Sequence, residues 1–133
     1  MEISDFVRPA VAVDDTYGPH NPFWEWNAKH VVAARSKGQP FVTSDQVAQW
    51  MTAAGFEDVV VKDYLVPTNA WPKDRKMKTL GRYMMVNLLE GIEAFTLQLW
   101  TQQLGWSTER IRRFLTEVRK DIINRNIHSA SPL

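Results

Sequence analysis

Between residues 77 and 99 apolar side chains recur at steps of three and four: Met77, Leu80, Met84, Leu88, Ile92, Phe95 and Leu99. That spacing is the period of a helix with one apolar face, and it predicts a helix from Arg75 to Leu104 ended by Gly105. Gly81 and Gly91 inside it mark a bend or a close approach. A second stripe, Ile111, Phe114, Leu115, Val118, Ile122 and Ile123, follows Ser107. Ser107 is a good N-cap, with Glu109 near the positive end of the helix it opens. Upstream, Asn21-Pro22 starts a helix over FWEWNAKHVVAARSK that stops at Gly38. Thr43, Ser44 and Asp45 open another through Ala54, with Gly55 as a left-handed cap.

Strand signals lie between the helices. Ile3 to Val7 reads as a short strand whose pairing ends at Pro9. FEDVVVKDYLV, from Phe56 to Val66, is rich in valine and closed by Pro67. Its three adjacent valines predict burial on both faces. Asn126 to Ser129 predicts a short last strand. With no repeat, low-complexity run or linker, residues 1–133 read as a single α/β domain.

Composition narrows the function classes. A formal net charge of +1 argues against nucleic acid or an anionic membrane as the main partner. The absence of cysteine excludes disulfides, thiolate metal sites and a cysteine nucleophile. The N-terminal residues have neither a basic nor an apolar signal region. The longest apolar helix is interrupted by Asn87, Glu90 and Glu93. A cytoplasmic chain with no membrane partner is therefore expected. The scattered histidines and acids lack ligand spacing, so no metal is expected.

The run GFEDVVVKDYLVPTNAWPKDRKMKTLGRYMMVNLLEGIEAFTLQLWTQQLGW, with the helix up to VRKDIINRNIH, resembles the C-terminal part of fungal S-adenosylmethionine-dependent class I methyltransferases of secondary metabolism. The match covers residues 44–128 well. Its most specific pieces are WPKD (71–74), NLLEGIEAF (87–95) and LGWS (104–107). The resemblance implies a truncated methyltransferase-like fold, a three-stranded sheet packed with about four helices. It also implies that the last strand lies between the other two, antiparallel to both. Those enzymes hold the cofactor on a glycine-rich first strand-to-helix turn, and no Gly-x-Gly occurs among these residues. No cofactor is therefore expected here. A fold lacking its other half is expected to pair, most simply as a homodimer.

In the resembled family, substrate lies over the ends of the strands. Asp15, Tyr17, His20 and His30 are the expected catalytic residues, able to polarise a carbonyl or move a proton. Trp24, Trp26, Tyr83, Asn87 and Glu90 are expected to bind an apolar small-molecule substrate. Trp26 and His30 are four apart and share a helix face. Any one of these residues has a plainer alternative as core, interface or surface. Trp71, Trp100 and Trp106 are assigned to packing. The leading expectation is a cofactor-independent cyclase or isomerase, pericyclic chemistry included, acting on a polyketide-like or terpenoid intermediate. The alternatives are a non-catalytic interaction module, or a methyltransferase half completed by a partner chain.

Overall fold

The structure is a computed structural model that describes residues 1–5 and 9–133. Four helices carry most of the order: α1 (Pro22–Ser36), α2 (Ser44–Ala53), α3 (Arg75–Gln103) and α4 (Thr108–Ile123). Three of the four starts follow their capping chemistry. Thr43 and Gln46 form a reciprocal capping box on α2, Asp74 accepts from the Met77 amide on α3, and Ser107 accepts from the Arg110 amide on α4. Gly55 and Gly105 take positive φ values just past α2 and α3, as the sequence pattern requires. At α1 the Asn21 side chain makes no cap and instead accepts from the Gly18 amide. The Phe23 amide in the first turn is satisfied by Asp121 of α4, at 2.9 Å.

Three short strands, β1 (Val11–Ala12), β2 (Leu65–Pro67) and β3 (Ser129–Pro132), form a sheet of order β1-β3-β2, antiparallel throughout. Val11 lies opposite Ala130, and Val66 opposite Ser131. The central, antiparallel last strand matches the topology that the resemblance implies. The strand limits do not match. Residues 3–5 form no strand, and residues 6–8 of the expected first strand lie outside the described residues. Residues 57–64 are not in a strand, and Val60 is 75% exposed rather than buried on both faces. The last strand starts at Ser129, because Asn124 holds the following residues in a turn through the Asn126 and Ile127 amides. Strand propensity is expressed only where a neighbouring strand and a half-buried face exist. The valine run meets β3 only at its far end, where Tyr64 and Leu133 exchange backbone hydrogen bonds.

The core lies where α1, α3 and α4 meet. Ile92, Trp100, Ile111, Leu115 and Val118 are fully buried there, beside Phe23 and Ile122. On α3 the buried row is Gly81, Met84, Ile92, Thr96 and Trp100, while Leu80 and Phe95 face outward. Beyond Ile92 the row therefore continues in steps of four instead of passing to Phe95 and Leu99. The cause is α1: its Trp26 reaches across and donates from Nε1 to Thr96 Oγ1 at 2.9 Å. No residue of α2 is fully buried. No described helix is long and apolar enough to cross a membrane.

Candidate functional site

A groove of about 480 Å³ runs between α1, α3 and the segment after α1. Trp26, His30, Phe41, Met84, Leu88 and Phe95 are among the residues of its wall. This volume lies in the range of small-molecule sites, which are mostly apolar with a few placed polar groups. Here the placed group is His30. Its ring stacks on Trp26 at 4.8 Å between centroids and 25° between planes, and meets Phe41 at 6.4 Å. The helical four-residue spacing produces the Trp26–His30 stack directly. Trp100 Nε1 donates to His30 Nδ1 at 3.3 Å. Burial lowers the pKa of His30 below the ordinary histidine value, so the neutral ring is favoured at pH 7. A neutral imidazole that accepts at Nδ1 carries its proton on Nε2. The groove thus holds the His30 Nε2–H as a donor in an aromatic wall, with Asp5, Asn27 and Ser131 as its other polar lining.

Protonation links this arrangement to stability. The folded pKa of His30 is depressed, whereas the unfolded ring titrates near ~6.5. Between those two values the unfolded chain binds a proton that the folded chain does not. The contribution is therefore fully present above pH ~6.5 and is lost as pH falls through the window below it. Urea unfolding of the wild type at pH 7 and pH 5.5 is expected to show a lower midpoint at pH 5.5. The slope from this one group is at most about 1.4 kcal/mol per pH unit. The His30→Gln variant is expected to lose that part of the difference. An identical difference in the variant assigns the slope to other groups.

The remaining sequence candidates disperse. Tyr17, expected to be catalytic, lies in the core and does not line the groove. It is 3% exposed, its hydroxyl accepts from Asn27 Nδ2, and burial pushes its pKa far above the ordinary tyrosine value. His20 and Asp15 are exposed in the loop before α1, and neither lines the groove. Trp24 points away from the core side of α1 at 36% exposure. On α3, Tyr83 is 70% exposed, and Asn87 and Glu90 are exposed as well. None of the three lines the groove, although Met84 and Leu88 beside them do. Glu93 is ion-paired with Arg112 and Arg119 of α4. Trp100 and Trp106 pack edge to face at 5.0 Å, as their assignment to packing requires.

Sequence reasoning passed over His128. The central position of β3 brings it to the loop after β1, where its Nδ1 lies 2.5 Å from Asp14 Oδ2. A separate hollow of about 720 Å³ between residues 1–5, α2 and residues 56–64 contains no histidine. Among the described residues no group of three or more histidines and acids could hold a metal ion.

The cofactor of class I methyltransferases does not fit these residues. The connection from β1 to α1 carries one glycine, Gly18, and that from β2 to α3 carries none. Neither offers a glycine-rich cradle at a helix start. No family model and no solved structure matches the chain. Curated relatives do. The probable methyltransferase tdiE of Emericella nidulans is 30% identical over 133 residues, 100% of this chain and 42% of that protein. Methyltransferase pytC of Aspergillus terreus is 30% identical over 129 residues, 97% of this chain and 40% of that protein. The secondary metabolism regulator LAE1 of Cochliobolus heterostrophus is 31% identical over 117 residues, 87% of this chain and 38% of that protein. The chain belongs with these fungal methyltransferase-like proteins of secondary metabolism and spans about two fifths of the length of the relatives it matches.

Proposed function

We propose that the chain binds an apolar, carbonyl-bearing small molecule in the α1–α3 groove and cyclises or isomerises it without a cofactor. The observation that carries this reading is the bond from Trp100 to His30 Nδ1, which leaves His30 Nε2–H as a donor in an aromatic wall. A donor fixed in a water-poor site stabilises charge that develops on a carbonyl oxygen. Flat rings of Trp26 and Phe41 hold an extended substrate in a folded shape, which lowers the entropic part of a ring-closing barrier. Polyketide-like and terpenoid intermediates have that chemistry.

The test uses 2-acetylnaphthalene, a flat ketone whose carbonyl stretch shifts to lower frequency on accepting a hydrogen bond. The expected result is a lowered stretch on the wild type that is lost in His30→Ala, with binding about tenfold weaker. Equal stretches in the two proteins would remove His30 from the reading. A second reading, the acceptor side of a methyltransferase completed by other residues, is favoured by the names of the relatives. Heat on calorimetric titration with S-adenosylmethionine, in the presence of the ketone, would put it first.

The working form in this reading is a cytoplasmic homodimer. Leu80, Tyr83 and Val86 give α3 an exposed apolar face that a second copy would cover. Sedimentation is expected to give twice the chain mass, and Tyr83→Lys to halve it. A monomeric wild type would rule the dimer out.

A further inference from the structure

We propose that Asp14 and His128 form a second, separate site in which His128 Nε2 acts as a general base toward a flat aromatic molecule bearing a weakly acidic proton. The two residues are 114 positions apart and meet only because β3 runs beside the segment after β1. Every part of the pair is held. Asp14 Oδ1 accepts from both the hydroxyl and the amide of Thr16, and the Thr16 hydroxyl in turn accepts from the His128 amide at 2.7 Å. The Val13 amide donates to the His128 carbonyl.

Asp14 is held down to about 2, first by the hydrogen bond from the Thr16 side chain and then by the one with His128. It is therefore a carboxylate at working pH and can only accept. The Nδ1–H of His128 donates to this carboxylate, so the lone pair available for proton transfer is that of Nε2. That nitrogen makes no hydrogen bond among the described residues, and the side chain is 31% exposed. A carboxylate that fixes the tautomer and stabilises the imidazolium formed later is the arrangement that a general base requires.

The aromatic preference comes from Trp71. Its ring centroid lies 5.0 Å from that of His128, at 32°. Its plane is fixed by the bond from Nε1 to the Ser129 carbonyl at 2.9 Å. A flat ligand lying along this indole brings an edge proton toward the imidazole. His128 is the catalytic residue of the proposal and Asp14 the positioning residue. The site is independent of the groove, which neither residue lines.

The probe is 5-nitrobenzisoxazole. Base removes its ring C–H proton, the N–O bond breaks, and a nitrile and a phenolate form with no other reactant. The phenolate is read by absorbance on the full chain. Wild type is expected to turn the probe over, with His128→Gln slower by about a hundredfold. Asp14→Asn is expected to lower kcat about tenfold with KM and circular dichroism unchanged, which a purely structural pin would not do. His20→Ala is expected to match wild type. Added imidazole is expected to restore His128→Gly. The proposal is overturned by a wild type no faster than His128→Gln, or by an Asp14→Asn variant that keeps its full kcat. If His128→Gln does not fold, the kcat of Asp14→Asn decides alone.

Discussion

Replacing Gly81 by alanine is expected to destabilise the chain by about 3 kcal/mol or more, although alanine is the better helix former. Gly81 lies in the second turn of α3 against the backbone of Asn69. A methyl group there would stand 2.6 Å from the Asn69 carbonyl carbon and closer still to its oxygen. The loop that carries Asn69 cannot retreat. The Thr68 amide donates to the Ser129 carbonyl, and Asn69 Nδ2 donates to the carbonyls of Ile122 and Asn124 at the end of α4. Relief would have to come from α3 moving off β2, which would open the junction of the sheet and the long helix. Gly91 on the same helix is the control. A methyl there meets only the ring of Phe95, at 2.7 Å, and that ring is 58% exposed and able to turn aside. Gly91→Ala is expected to be neutral, or stabilising by up to about 1 kcal/mol. Urea midpoints of the two variants check the contrast. Equal effects at the two positions would mean that the Gly81 contact does not hold the loop.

The helices were legible because their signals are local. Asn21-Pro22, Thr43, Ser107, Gly55 and Gly105 act on the few residues next to them, and all stand within a residue or two of the helix ends. The strands were not legible in extent. What makes Leu65–Pro67 a strand, and not Val59 to Val61, is the reach of Ser129–Pro132, which lies 60 and more residues away in sequence. The order β1-β3-β2 came from the family resemblance and not from residue patterning. Gly81 was marked as a point of close approach, but the loop it approaches could not be read from α3 alone.

The site divides along the same line. Trp26 and His30 are four apart on one helix, so their stack follows from spacing. Tyr17 was read as a catalytic group because its loop gathers proton-transfer residues. Phe23 and Asn27, both on α1, fold over it and take it into the core. Tyr83, Asn87 and Glu90 were placed on a pocket border, but α1 approaches α3 from the side of Thr96 and Trp100 and leaves all three exposed. His128 carries no local signal at all: its partner Asp14 is at the other end of the chain.

Trp100→Ala is expected to cost about 4 kcal/mol, within the usual range for removing a buried aromatic ring. Trp100 is fully buried, meets Trp106 edge to face at 5.0 Å and lies 5.8 Å from Phe114, so its loss opens the joint between α3 and α4. Trp100→Phe separates that packing from the second task of the residue. Phenylalanine keeps most of the ring contact but has no Nε1–H, so His30 Nδ1 loses its donor. The cost is expected to be about 1–2 kcal/mol, from the smaller ring and the unmade bond together. The imidazole then no longer has its proton directed to Nε2, because the bond at one ring nitrogen sets the tautomer at the other. Nitrogen chemical shifts of His30 are expected to show one neutral tautomer in the wild type and a mixture in Trp100→Phe. In the groove, 2-acetylnaphthalene is expected to bind the variant with a smaller carbonyl shift. A single unchanged tautomer in Trp100→Phe would mean that the 3.3 Å bond does not orient His30. The donor that the proposed chemistry requires would then need another source.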